Sequence, residues 1–330
     1  MNIFAYEHIT GGGMLGVPIP ASLALEGRMM RDALVRDLIR VPGVQVVTLY
    51  DHRVAPPIAA TQSEIVRDAP RWRAAMRALI ESSDAVWPIA PETGGELEQL
   101  SRSILDAGRR LIGTDPETVR IAASKRETHR LLVQHGIASV PTFRPDEPHP
   151  SLGGPWVAKP DDGCGCEHTR LFTQADHAQR WIASRPDAAR FVLQPYVGGE
   201  PLSLCALARG GIGWLLCVNR QRVQVRDGVF SYTGTQVNAL PDSDGMFAAL
   251  VTRIARALPG LAGYFGIDVI LSEDSPRVVD INPRLTTSWV GLRAALGFNP
   301  AKLVLDLLGD DGTFEMPMRS STSIDVELPD

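Results

Sequence analysis

The sequence predicts a mixed α/β and α+β protein in three lobes: a parallel αβ lobe over residues 1–114, an α+β lobe over 115–196, and a strand-dense α+β lobe over 197–330. Three observations lead there. The first third alternates short apolar runs with segments of helical spacing. After about residue 114 a longer helical stretch gives way to short strands around a glycine-rich loop. From 197 onward strand-like runs follow one another with little helix between them.

The elements follow in order. NIFAY (2–6) is an apolar run of strand length, and the loop TGGGMLG comes after it. Residues 21–40 place Leu23, Leu25, Met29, Met30, Ala33, Leu34 and Leu38 at helical spacing. VQVVTLY (44–50) is a strand ending at Asp51, 62–82 is helical, and DAVWPIA (84–90) is the next strand. ELEQLSRSILDAG (96–108) is a helix closed by glycine, and RLIG (110–113) is a further short strand. Strands separated by such helices pair in parallel. Residues 116–135 are helical with an interruption at Ala123–Ser124 and a stop at Gly136. SVPTF (139–143) and PWVAKP (155–160) read as strands flanking the turn-rich RPDEPHPSLGG. TRLF (169–172), a helix near 174–184 and FVLQPY (191–196) complete the middle lobe. LSLCALA (202–208), GWLLCVNRQ (213–221), RVQVRDG (222–228) and VFSYTG (229–234) form an antiparallel meander. A helix (243–257), the strands GYFGIDVILS (263–272) and PRVVDINP (276–283), and helices 288–296 and 300–308 close the pattern.

Composition narrows the function. Of 330 residues 44% are hydrophobic and 22% charged, with a formal net charge of −5 and no basic block, so a nucleic-acid partner is not expected. The four cysteines, at 164, 166, 205 and 217, do not form a disulfide framework. MNIFAYEH reads as a strand rather than a signal peptide, and no apolar run reaches the roughly 18 residues of a membrane span. The expectation is a cytoplasmic protein acting on small molecules, without a membrane partner and with room for a homo-oligomer.

The stretch AKPDDGCGCEHTRLF (158–172) admits two readings. Cys164, Cys166, Glu167 and His168 suggest a metal clip, but the spacing is C-x-C rather than C-x-x-C. Cys205 and Cys217 lie in apolar strands, as small buried hydrophobes do. In the other reading Gly163 and Gly165 let the backbone approach an anion, with Lys159 supplying charge from the strand before. Further on, Asp280 and Asn282 share one face of a strand, and Asp268 lies inside another apolar strand. Carboxylates are costly in a core. Two acids and an amide on neighbouring strands suit Mg²⁺ or Mn²⁺ beside phosphate oxygens, and Arg284 suits phosphate too.

Lys125 in ASKRETHRLL, Lys159 before the glycine hairpin, LQPYVGGEPLS and DINPRLTTS occur in an order that resembles the ATP-grasp carboxylate–amine ligases, over nearly the whole chain. The resemblance implies the ATP-grasp fold behind a pre-ATP-grasp αβ lobe, and ATP-dependent conversion of a carboxylate to an acyl phosphate that an amine attacks. It implies Lys125 and Lys159 as phosphate lysines, and residues 161–167, with Asp161, Gly163 and Gly165, as a lid over the phosphates. Gln194, Tyr196 and Val197 fall at the adenine-binding hinge, and Glu200 at the ribose. Asp268, Asp280 and Asn282 fall at the metal, and Arg284 at the transferring group. Many relatives carry glutamate where Asp280 and Gln194 stand. DINPRLTTSWVGL and WPIAPETGGEL look most like the tyramine–glutamate ligase group of methanofuran or methylofuran synthesis, which implies glutamate as acid and tyramine or tyrosine as amine.

Several readings stay open at this point. Thr286 and Thr287 can contact substrate, or Thr287 can cap helix 288–296. Glu7, at the carboxyl end of the first strand beside Gly11–Gly13, can pair with a substrate ammonium or merely hold its turn, and Glu92 stands similarly. Another amino-acid or dipeptide ligase of the same fold, or a nucleotide-binding regulatory protein without turnover, are the rival functions.

Overall fold

The computed structural model describes every residue except 149, 151, 152, 164, 274, 310–313, 319, 329 and 330. Among the described residues the chain forms two sheets. The first is parallel, with strand order β3-β2-β1-β4-β5. Its strands are β1 (Asn2–Glu7), β2 (Gln45–Asp51), β3 (Gln62–Val66), β4 (Ala85–Ile89) and β5 (Arg110–Leu111). The helices α1 (Ala21–Leu38), α2 (Ala69–Ser82) and α3 (Glu96–Asp106) connect them. Ile3, Phe4, Ala5 and Tyr6 are all buried, because helices cover both faces.

Two helices follow, α4 (Pro116–Ala123) and α5 (Lys125–Gln134). The second sheet then begins with β6 (Trp156–Pro160), β7 (Arg170–Phe172), the helix α6 (Ala175–Ala183) and β8 (Phe191–Pro195). It continues with β9 (Glu200–Arg209), β10 (Ile212–Arg226), β11 (Val229–Leu240), the helix α7 (Met246–Ala257), β12 (Gly263–Ser272) and β13 (Ser275–Asn282). The helices α8 (Trp289–Leu296) and α9 (Pro300–Leu308) and the strand β14 (Ile324–Glu327) end the chain. The order in this antiparallel sheet is β13-β12-β9-β10-β11-β7-β6-β8, with β14 on β11. Its two halves meet at one register pair, Val229 with Arg170. Leu171 N donates to Gly228 O at 2.7 Å and Phe230 N to Thr169 O at 3.2 Å beside that seam.

Three differences from the sequence expectation, and one expected break, have physical causes. Residues 62–66 form an edge strand rather than the start of a helix: they pair with β2, and Asp68 caps α2 by accepting from Arg71 N. Residues 139–143 make only the bridges Ser139 to Val278 and Phe143 to Leu193, since Pro141 has no N–H for a ladder. The runs 213–221 and 222–228 are one strand with a shifted register, and β11 extends to Leu240. The break at Ser124 is a cap: Ser124 ends α4 and accepts from Glu127 N at the start of α5.

The apolar cores show which parts move together. One core joins Ile3, Leu34 and Trp87 of the first lobe to Tyr264, Trp289, Leu296 and Val304 of the last. Trp289 stacks edge-on between Trp87 and Tyr264, with centroids at 5.6 and 5.1 Å. α4 and α5 give Ala122 and Leu132 to a second core with Phe247 and Phe265. Trp156, Ile182, Phe191 and Phe143 form a separate small core.

Candidate active site

Two helix and strand ends bring the lysines together. Lys125 opens α5 and Lys159 lies near the end of β6, and both are buried. Asp161 holds these elements in register. Its carboxylate accepts from Ser124 Oγ at 2.6 Å and Arg126 N at 2.9 Å, and its carbonyl accepts from Lys125 N at 3.2 Å. The Asp161 carboxylate thus holds the N-terminus of α5. Asp161→Ala is expected to cost about 1–2 kcal/mol of stability, as lost helix caps do, measurable by urea unfolding.

Lys125 Nζ lies 3.0 Å from Asp280 Oδ2 and donates to Gly163 O at 2.6 Å. Burial pulls its pKa down, yet the charge and hydrogen bond of Asp280, with Asp161 and Glu92, leave it above the usual lysine value. Lys159 differs: burial, then the Lys125 charge, lower it to about 8 against the pull of Asp280, Cys166 and Asp268.

Asp268 and Asp280 stand opposite each other across β12 and β13. Burial, then the Asp280 charge, raises Asp268 to about 6. Asn282 Nδ2 donates to one Asp268 oxygen at 3.1 Å and Gln221 Nε2 to the other at 2.8 Å. Gln221 escapes a reading by motif because it lies two strands away on β10. The donor set is two opposed carboxylates and an amide, all oxygen and with no thiol or imidazole. A like-charged pair of this kind suits a hard divalent cation. By contrast, among the described residues no three His, Cys, Asp or Glu side chains gather as a metal site. Cys166 is half-buried, Cys205 and Cys217 are buried in the β9–β10 core, and Cys164 lies outside the described residues.

The lid is drawn down onto this set. Gly165, Cys166 and His168 take left-handed φ angles of 63°, 64° and 53°. Only the glycine adopts that region at no steric cost. Thr93 Oγ1 donates to Asp162 O at 2.8 Å, and Gly94 N and Arg190 Nη2 donate to the Asp162 carboxylate at 3.1 and 3.0 Å. The cleft lined by Glu92, Lys125, Gly163, Asp280 and Asn282 is too narrow for a water molecule.

Around the rim, Gln194 Nε2 donates to Thr142 Oγ1 at 2.8 Å, Tyr196 is exposed and Val197 half-buried. Glu200 accepts from Arg220 Nε at 2.5 Å. Arg284 Nη2 donates to Glu92 Oε2 at 2.9 Å, so Glu92 serves the cleft through an arginine. Thr286 Oγ1 shares a hydrogen bond of 2.9 Å with Tyr264 OH. Thr287 does not cap α8; its hydroxyl donates to Glu26 of α1, and the N-cap position, Ser288, has no side-chain cap bond. Glu7 is folded onto its own turn. It accepts from Ile9 N at 3.0 Å, Thr10 N at 2.7 Å and Thr10 Oγ1 at 2.6 Å, as an acid that holds its turn does.

Comparison with known proteins matches this geometry. An ATP-grasp domain matches residues 122–288 and a pre-ATP-grasp domain residues 44–119. The chain is 26% identical over 272 residues to the tyramine–L-glutamate ligase of Methanocaldococcus jannaschii, covering 81% of this chain and 78% of that one. An ATP-grasp superfamily protein from Archaeoglobus fulgidus superposes over 100% of both chains with a TM-score of 0.72 and 20% identity. The biotin carboxylase domain of the Hydrogenobacter thermophilus 2-oxoglutarate carboxylase, in complex with MgADP and bicarbonate, superposes with a TM-score of 0.72 at 14% identity, over 97% of this chain and 71% of that one. The chain belongs to the ATP-grasp family, with a pre-ATP-grasp lobe before it.

Proposed function

We propose that this protein uses ATP to convert the carboxylate of glutamate into an acyl phosphate and joins it to tyramine or tyrosine, releasing ADP and phosphate. One observation carries the reading. Lys125 and Lys159 converge on the opposed Asp268–Asp280 pair beneath a glycine-bearing lid. That set neutralises a polyphosphate and its cation, and it offers no protein nucleophile. The likeness to a tyramine–L-glutamate ligase supports glutamate and an aromatic amine as the pair joined.

The residue roles in this proposal are those the family resemblance implies. Lys125 exchanges Gly163 O for phosphate oxygens when the lid lifts, and Lys159 faces the same group. The amides of Gly163 and Gly165 close over the phosphates. The backbone from Gln194 through Tyr196 to Val197 reads adenine, and Glu200 takes the ribose hydroxyls. Asp268, Asp280 and Asn282 hold Mg²⁺ or Mn²⁺, which when bound offsets charge on the phosphates. Arg284, fixed by Glu92, steadies the phosphoryl group in transfer. Thr286 stands near the acyl group. A closed lid keeps water from the acyl phosphate.

An ADP-release screen with Mg²⁺–ATP across amino acids and amines tests the proposal. Glutamate with tyramine or tyrosine is expected to release ADP. Release only with other pairs moves the substrates and keeps a ligase. Nucleotide binding without release for any pair leaves a regulatory nucleotide-binding protein and sinks the proposal.

A further inference from the structure

Most carboxylates of this cleft are already answered. Asp280 has Lys125, Glu92 has Arg284, Asp268 has two amide donors, and Glu7 has its own turn. Glu26 is different. It lies in the second turn of α1, half-buried, where the first lobe faces the loop after β13. Among the described residues it forms no ion pair, and its donor is the neutral hydroxyl of Thr287.

The surroundings fix this carboxylate in place. Thr287 is buried, five residues beyond the end of β13 at Asn282. Burial, then the Glu26 and Asp268 charges, push the Tyr232 phenol of β11 well up, so both carboxylates act on one side chain. The next residue of α1, Gly27, packs against Glu7: a Cβ there would come within 2.6 Å of Glu7 Oε2. The helix thus seals Glu7 away, while Glu26 beside it reaches Thr287, in the loop that follows β13.

We propose that Glu26, positioned by Thr287, receives the ammonium of the acceptor amine and takes its first proton; the inference rests on the ligase reading above. An ammonium has no lone pair, so it must lose a proton before it attacks. One proton passes to the Glu26 carboxylate. The nitrogen lone pair then bonds to the acyl carbon, and the bond from that carbon to the phosphoryl oxygen breaks. Phosphate leaves with the electron pair and takes the second proton from nitrogen. Glu26 returns its proton to solvent, and the amide is left neutral. An unpaired carboxylate beside neutral hydroxyls is suited to both steps, because no resident cation competes for it.

Two nucleophiles separate the steps. Hydroxylamine is small and uncharged at neutral pH, and it traps an acyl phosphate as a hydroxamate without needing an ammonium site. The parent, Glu26→Gln and Glu26→Asp are assayed with Mg²⁺–ATP and glutamate, and with either hydroxylamine or tyramine. The expected result is hydroxamate at a rate near the parent's for all three. With tyramine, Glu26→Gln loses about 10²-fold or more in kcat/KM for the amine, its KM for ATP holds, and Glu26→Asp recovers part of the loss. Tyramine ligation by Glu26→Gln at the parent's rate overturns the assignment. So does equal loss of hydroxamate and amide in both variants while circular dichroism shows them folded. A parent that forms no hydroxamate from glutamate overturns glutamate as the acid, and this assignment with it.

Discussion

Lys159→Ala is expected to lower ADP release about 10²–10³-fold, the size of effect seen when one electrostatic donor is removed from a preorganised site. The side chain is buried at the end of β6, and no described acid lies in direct ion-pair contact with it, unlike Lys125. Its ammonium carries a cost, since burial and then Lys125 bring it to about 8. That cost is repaid when phosphates arrive. The loss should therefore fall on turnover and ATP affinity and not on folding, and circular dichroism of the variant should match the parent. The same balance sets a pH dependence. In the free enzyme kcat/KM for ATP should decline as pH rises through about 8, because Lys159 then gives up its proton. A variant that keeps the parent's rate would remove Lys159 from the site.

Asp268→Asn is expected to make the metal-free protein more stable at alkaline pH while removing a metal ligand. Burial, then Asp280, raises the Asp268 carboxyl from 3.8 to about 6. Its folded value lies above its unfolded value, so the native state holds this proton more tightly. The contribution is favourable and complete below the unfolded value, and it is lost as pH rises through about 6. Above that the ionised carboxylate destabilises the fold by up to ~3 kcal/mol. Asparagine carries no charge and keeps one acceptor oxygen, and the Gln221 amide can turn to present its own oxygen to the new NH₂ group. Urea unfolding in a chelator is the check. The variant should gain over the parent above about pH 6 and lose that gain near pH 4. Added Mg²⁺ should stabilise the parent and leave the variant unmoved. A variant weaker than the parent at alkaline pH would show that the opposed acids are not held at a cost to the fold.

Legibility in the sequence depended on how local each signal was. The parallel lobe showed itself because its strands are buried on both faces and separated by capped helices. The interruption at Ser124 was visible because a capping serine ends one helix and starts the next. Residues 62–66 were missed: their only buried side chain is Val66, and an edge strand with one inward residue has no period to read. β14 was missed because only its pairing with β11 makes it a strand. The same divide runs through the site. Asp280 and Asn282 could be placed together by strand alternation alone. Gln221 lies 47 residues from Asp268, and Glu26 lies 261 residues from Thr287. No spacing rule connects those pairs; the sheet and the packing of α1 do. Thr287 also shows why a local rule fails: a hydroxyl one residue before a helix N-cap is a plausible cap until a distant carboxylate claims it.

The layout of the apolar cores has a mechanical outcome. The first lobe, the helices α4 and α5 and the last lobe form an anvil, knit by large shared cores. The segment from Phe143 to Pro195 is a jaw with a small core of its own, attached to β11 through the seam at Val229 and Arg170. Lys125, Asp268, Asp280 and Glu26 all stand on the anvil, whereas Lys159 rides on the jaw. The full charge set therefore exists only while the jaw is down. A jaw that lifts would carry Lys159 away and leave Lys125 and the two acids in place on the anvil.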